Sequence, residues 1–508
     1  MHRLSSRQAG VLVSYAYSIT QILVQLLYVP ILLNGIGQSE YGLYQFVGSV
    51  MAYLTVINTV LAAGITKFYS RAYILQDQTL MENTLAIAKR LYWLVSAVAV
   101  LAILALGTVV SFVYSGSFDS GQIAEVDLMF VVLAVDMIIV MNNTINIAVI
   151  TANERFVFLR LTQLLTAILQ PVLVVIVMQL WASAVMVCVM TLACNLFCAV
   201  LQRVYAQSVL KTKYTYHGMD KGLVKELLAF SSTVILVALS DQIFWKSGQL
   251  ILGFFYGPDL IAVFAIGAQI YSVYMVLGTS IATVFLPRIT DIYLNSIDRS
   301  RELSSLFIKV GRISFYITFL VLSGFAILGE EFVSLWAGEK YGDAYWVALI
   351  VMVPFTIDII QNLGLTILQV ADKYQFRGYL NIVISAVNVA LSIFLASEYG
   401  VLGVAFSTAI SMFIGNGLVM NWYYGKKIGL DIASFWRSIM RIGVPLIMVS
   451  AFAGFVWQMV DLHGWISLII AGAVFVVAYG IVAVLLCFND EEKTLLFRKL
   501  GKNDPSFN

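Results

Sequence analysis

Charge is what this chain has least of. Its 508 residues hold 28 acidic and 30 basic side chains, 11% in all, under half the roughly 25% of an ordinary soluble domain. That is too little to hydrate the surface of a globular protein of this size. Histidine is scarcer still: His2, His217 and His463 stand at the terminus or in loops. They form no acid–base or metal-ligating constellation, which argues against an enzyme. The four cysteines (Cys188, Cys194, Cys198, Cys487) all sit inside apolar runs. Cys194 and Cys198 are one helical turn apart, but no His or carboxylate stands near enough to complete a metal site. They read as small packing residues. Ten-residue segments of alternating polarity are absent, which excludes a membrane β-barrel. A formal net charge of +2 gives no reason to expect nucleic acid as a partner.

What remains is hydrocarbon. Hydrophobic residues make up 61% of the chain, in runs long enough to cross a bilayer core as helices. In lipid the backbone has to satisfy its own hydrogen bonds, so such runs become helices. Fourteen candidate spans fall near 10–33, 42–66, 90–114, 126–150, 157–180, 183–206, 229–255, 259–286, 310–330, 345–370, 377–397, 401–423, 440–460 and 464–488. The first is too long for a signal-peptide core and no small-residue cleavage site follows it, so it is expected to stay as a span. The fold class expected is therefore an all-α polytopic membrane protein of about 14 transmembrane helices.

Basic residues supply the topology. If the spans alternate and the N-terminus is cytoplasmic, 28 of the 30 Lys and Arg residues fall on the inner side, as the positive-inside rule requires. Only Lys340 is left outside, and Lys246 is the only basic residue assigned to a span interior. The outer loops carry acid instead: Glu40, Asp119, Glu125, Asp259, Glu330, Glu331, Glu339, Asp343, Glu398 and Asp461. Both termini are thus expected on the cytoplasmic side of the membrane. The tail from Asn489 is polar and reads as an exposed helix or a disordered segment.

Two internal matches indicate duplication. GQSEYGLYQFVGSVMAYLTVINTVLAAGITKFYSRAY from Gly37 aligns without a gap with GPDLIAVFAIGAQIYSVYMVLGTSIATVFLPRITDIY from Gly257. VMNNTINIAVITANERFVF from Val140 aligns with IIQNLGLTILQVADKYQFR from Ile359. The first joins spans 2 and 8, the second spans 4 and 10. Six spans per copy is an even number, so the copies share one orientation: a parallel repeat with a substrate path expected between the halves. The expected division is an N-lobe at 1–206, an inter-lobe loop at 207–228, a C-lobe at 229–425, spans 13 and 14 at 426–488, and a tail at 489–508.

Polar residues inside spans are the candidate site. A charge near the bilayer centre costs at least about 2.5–3.5 kcal/mol and so faces a cavity or a partner. Lys246 in ALSDQIFWKSGQLILGF is the main instance, with Asp241 five residues before it. By the repeat offset Asp241 corresponds to Gln21 and Trp245 to Gln25, so both copies place polar groups midway along their first helix. The competing structural reading pairs Lys246 with Asp136 or Asp358 merely to hold helices together. Those two aspartates are also candidates for coupling to H+ or Na+. Asn58, Gln163, Gln170, Gln269 and Asn388 read as bridges between helices. Lys67 and Arg71 share one face at the inner end of span 2. Arg288, one position off the repeat partner of Lys67, joins them as a candidate for anion capture.

The opening resembles a known group. A proline late in helix 1 (Tyr28-Val29-Pro30-Ile31-Leu32), then Ile36-Gly37-Gln38-Ser39-Glu40-Tyr41-Gly42, then a basic end to helix 2 is similar to the Wzx-type O-antigen and capsule flippases of the multidrug/oligosaccharidyl-lipid/polysaccharide superfamily. Ile36 stands where Leu is usual. The motif is confined to about the first 75 residues; the span count carries the likeness through the rest. The resemblance implies a non-enzymatic transporter that moves undecaprenyl-diphosphate-linked oligosaccharide from the inner to the outer leaflet by alternating access. It implies membrane lipids, a polysaccharide polymerase and chain-length machinery as partners, and no cofactor beyond a coupling ion. A cation-coupled drug antiporter of the same superfamily is the alternative, and would prefer an acidic cavity. A membrane-embedded glycan polymerase is a further one, against which the short outer loops count.

Overall fold

In the computed structural model the chain is all helix and loop among the described residues, which are 6–218, 221–279, 285–460, 463–490 and 492–494. Arg3, Asp461 and the tail residues Arg498, Lys499 and Lys502, whose charges count toward the sidedness of the chain, lie outside them. The helices are α1 (Ser6–Ile36), α2 (Gln38–Ile74), α3 (Gln78–Val113), α4 (Ser120–Ala152), α5 (Phe156–Met178), α6 (Ala184–Ser208), α7 (Lys221–Tyr256) and α8 (Pro258–Thr279). They continue with α9 (Leu286–Asn295), α10 (Arg299–Trp336), α11 (Asp343–Ile360), α12 (Asn362–Val370), α13 (Gln375–Met412), α14 (Met420–Tyr423), α15 (Ile432–Met459) and α16 (Trp465–Val482). Ten described helical stretches are long and apolar enough to cross a membrane.

Each expected span has its helix, span 8 as far as Thr279 because 280–284 lie outside the described residues, with two refinements. Helix α13 leaves helical geometry at Gly400 (φ 55°, ψ −130°), which separates span 11 from span 12. Span 10 is broken at Gln361 into α11 and α12. Helix α9, with Ile289 and Ile292 buried and Arg288 exposed, is amphipathic and is not a span.

The repeat is written in contacts as well as in sequence. Phe158 stacks on Tyr205 with ring centroids 3.8 Å apart; Phe376 stacks on Tyr423, also at 3.8 Å. Asn143 Nδ2 donates to Gln202 Oε1 at 2.8 Å; Gln361 Nε2 donates to Asn421 Oδ1 at 3.2 Å. The partners in the second copy lie about 218–219 residues after those in the first. The hinges before the second helix of each copy match too. Gly37 (φ 86°) and Gly257 (φ 79°) both occupy the left-handed region where a side chain is strained.

Packing groups these helices into two units, Met1–Ala265 with Asn381–Val404, and Ile266–Leu380 with Ala405–Asn508. This grouping cuts across the sequence repeat, because the first part of α13 packs on α7. Ser385 Oγ donates to the Ser240 carbonyl at 2.7 Å and Asn388 Nδ2 to the Phe244 carbonyl at 3.0 Å. Within the first unit α2 also packs on α7, and α4 packs on α2, α3 and α6. Within the second, α10 gathers α11, α15 and α16.

The start of the tail departs from expectation. Glu492 is buried, its side chain 5% exposed against 10% for Arg312. Arg312 Nε and Nη2 each reach one carboxylate oxygen of Glu492 at 2.7 Å. Nη2 also donates to the Cys487 carbonyl at 2.9 Å and Nη1 to Ser438 Oγ at 3.1 Å. The carboxylate is carried inward because Asn489 caps the final turn and Glu492 bonds back to the Asn489 amide at 2.9 Å. A forked, fully hydrogen-bonded pair of this kind is costly to break from one side only. Arg312→Met is expected to lower the stability of the detergent-solubilised chain by about 3–5 kcal/mol by stranding Glu492. Adding Glu492→Met recovers most of it; equal melting temperatures for wild type and the single variant would show that the pair carries no weight.

Candidate functional site

Lys246 sits on the third turn from the end of α7, half-buried, between two fixed points of the helix. Two residues before it the Phe244 carbonyl accepts from Asn388, and three after it the Gln249 amide oxygen accepts from Ser49 Oγ of α2. The next turn is pinned by Tyr114 OH, which donates to the Leu250 carbonyl at 3.1 Å. These contacts set the rotation of α7 and hence the direction of the ammonium. No carboxylate pairs with Lys246 among the described residues. The adjoining Ser247 hydroxyl is buried with no protein partner.

Neither proposed counter-ion serves Lys246. Asp136 on α4 accepts from Asn195 Nδ2 of α6 through both oxygens, at 2.9 and 3.1 Å. Asp358 on α11 pairs with Arg377 Nη2 at 3.7 Å, and Arg377 Nη1 donates to Asn416. The reading of Lys246 as a helix-clamping ion pair with Asp136 is thereby overturned within the first packing unit; Asp358, in the second, is matched by Arg377. Lys246 is also not the only cation within a span: the Arg312 and Arg377 side chains are 10% and 12% exposed, but both are matched with acid. Sequence reasoning missed them because each stands at a span edge and counts there as an inner-loop charge.

The other candidates stand on four helices, α1, α2, α7 and α9. Gln21 and Gln25 are exposed on α1, which packs mainly along α5. Asp241 is exposed on α7 with Lys246. Lys67 and Arg71 are exposed at the end of α2, Lys67 lying 5.9 Å from the Phe68 ring. Arg288 is paired with Asp291 on its own helix at 3.0 Å. Of the expected bridges, Asn58 accepts from Thr144 (3.1 Å), Gln170 donates to Thr191 (2.8 Å) and Asn388 joins α13 to α7. Gln163 instead accepts from Arg160 on its own helix.

The opposite end of α2 is held by acid. Glu40 Oε2 accepts from the Ala184 amide at the start of α6 at 2.7 Å, a favourable place for a carboxylate. Gln122 on α4 donates to Ser39 Oγ at 3.0 Å. Glu125, just before the fourth span, hydrogen-bonds the Glu40 carboxyl. Burial, that bond, and the charges of Glu40 and Asp119 push its carboxyl from its ordinary 4.5 up to about 7. A raised folded value means that the protonated form is favoured. The contribution is complete below the unfolded value and is lost as pH rises through about 7, where two adjacent carboxylates repel. Amide exchange at the Glu40 ends of α2, α4 and α6, corrected for intrinsic rate, is expected to speed up between about pH 6 and pH 8. Glu125→Gln should flatten that dependence; a slope unchanged in the variant would assign it to another group.

The relatives agree with this architecture. Residues 36–346 match the model of a family described as polysaccharide biosynthesis protein. A capsular polysaccharide biosynthesis protein, CapF, of Staphylococcus aureus is 25% identical over 248 residues, 47% of this chain and 59% of the relative's own length. Among solved structures, the lipid II flippase MurJ in an inward closed conformation superimposes with a TM-score of 0.74 at 14% identity, over 97% of this chain and 99% of that one. An inward-facing multidrug resistance MATE family transporter of the MOP superfamily gives 0.64 at 14% identity, over 82% and 96%. At such identities the structures speak for the fold alone. With more than half of the sequence inside the family match and the MOP transporter fold throughout, this chain belongs to the polysaccharide biosynthesis protein family.

Proposed function

We propose that the protein is a flippase for undecaprenyl-diphosphate-linked oligosaccharides in a bacterial inner membrane, with both termini in the cytoplasm, serving cell-surface polysaccharide synthesis. The observation that carries this reading is Lys246: a half-buried cation on a membrane helix, unmatched by acid among the described residues. A diphosphate in a low-dielectric path needs such a partner, and a charge-assisted contact there contributes about 1.5–3 kcal/mol. An inside-negative potential favours outward movement of anionic charge by about 2.3 kcal/mol per charge per 100 mV. Alternating access of the two repeats around Lys246 would carry the headgroup across, with Lys67 and Arg71 receiving it on the inner side. A polymerase and chain-length machinery would take the product.

The drug-antiporter reading has less support, since two of the three acidic groups it would use are engaged, Asp136 by Asn195 and Asp358 by Arg377, and the third, Asp241, shares α7 with the cation Lys246. H+ or Na+ coupling through Asp136 or Asp358 would first have to displace that partner. Lys246→Ala is expected to reduce complementation of a flippase-null strain by about tenfold or more, with unchanged membrane insertion, and Lys246→Arg to keep part of the activity. Full export by the alanine variant would remove Lys246 from the transport path.

A further inference from the structure

The first packing unit contains a cavity of about 420 Å³ between α3, α4 and α6, which Lys246 does not line. It has two chemically distinct ends. One is formed by Lys89, Asn146, Arg203 and Tyr214; the other by Trp93, Ile138, Leu196 and Val200. No carboxylate lines it among the described residues. Its basic end lies about three turns into α3, at Lys89, and in the last two turns of α6, at Arg203, toward the ends that charge counting assigns to the cytoplasm. Its apolar end opens outward: Trp93, Leu196 and Val200 are 56%, 47% and 50% exposed, as side chains facing lipid would be.

The polar wall is already ordered. Tyr214 OH donates to Asn146 Oδ1 (2.9 Å), Asn146 Nδ2 to Asn143 Oδ1 (3.1 Å), Asn143 Nδ2 to Gln202 Oε1 (2.8 Å) and Gln202 Nε2 to Thr162 Oγ1 (2.9 Å). The Lys89 ammonium stands 5.7 Å from the Tyr214 ring. This chain of bonds spends the amides on each other and holds Tyr214, from the loop after α6, over the cavity. Lys89 and Arg203 supply the positive charge that a ligand would meet, with the Gln207 amide beside them in the lining.

We infer that this cavity is a binding site for an anionic glycerophospholipid of the inner leaflet, its phosphate between Lys89 and Arg203 and its first methylenes along Ile138 and Leu196. A basic pocket between membrane helices is what such a headgroup requires, and the volume is that of a small-molecule site. The apolar opening favours an amphiphile over a free anion. The site is distinct from the transport path built on Lys246 and does not depend on that reading.

The test is native mass spectrometry of the full chain released from nanodiscs containing phosphatidylglycerol and phosphatidylcholine. Wild type should retain phosphatidylglycerol selectively. Lys89→Gln with Arg203→Gln should cut retention by about 10- to 30-fold, the scale of two cations at a membrane surface. Lys89→Arg with Arg203→Lys keeps both charges and should retain it, and monodisperse elution of each variant separates lost binding from lost folding. Lys246→Ala should leave retention unchanged. Equal retention by the neutral variant, or of phosphatidylcholine, would overturn the site. Inorganic phosphate or polyprenyl phosphate displacing the lipid at equal concentration would overturn the glycerophospholipid assignment.

Discussion

A polar side chain in hydrocarbon has to find its partner inside the protein, because neither water nor lipid will supply one. That constraint accounts for most of the specific contacts here. Amides meet amides across α4 and α6, and again between α11 and the stretch around Asn421. Asp136 takes both its bonds from one asparagine. Arg377 divides itself between an aspartate and an asparagine. Arg312 satisfies a glutamate, a carbonyl and a serine at once. Each contact ties two segments that apolar packing alone would leave free to slide, since lipid tails solvate leucine as well as another leucine does.

Fold class was open to reading because it rests on two long-range sums, hydrophobic run length and the sidedness of basic residues. Both are insensitive to detail. The helix breaks at Gly400 and Gln361 were not, because they depend on local backbone geometry and leave the apolar run intact. The ion pairs were hidden for another reason. Arg312, Arg377 and Glu492 lie within a turn or two of span edges, where composition cannot tell a solvated charge from a buried one. Asp136 was recognised as costly, but its partner Asn195 is 59 residues away, and only the fold brings them together.

Spacing could have found one signal. The Asn143–Gln202 separation of 59 residues recurs as 60 between Gln361 and Asn421, with Gln361 one position before Asn362, the residue aligned with Asn143. Polar residues at matched positions of both copies are candidates for contact with each other, because each copy faces the same desolvation cost.

That duplication also gives the molecule its own control. Two copies of one helical plan stand in one chain, and they share hinge glycines, an amide pair and an aromatic stack. Whatever both copies keep is a candidate requirement of the architecture. Whatever only one keeps is not, since its sibling folds without it. At the place of Lys246 the first copy has Leu26, a residue at home in hydrocarbon. The plan therefore does not call for a cation at that point of the helix, and the free energy spent on holding one there answers to something other than folding.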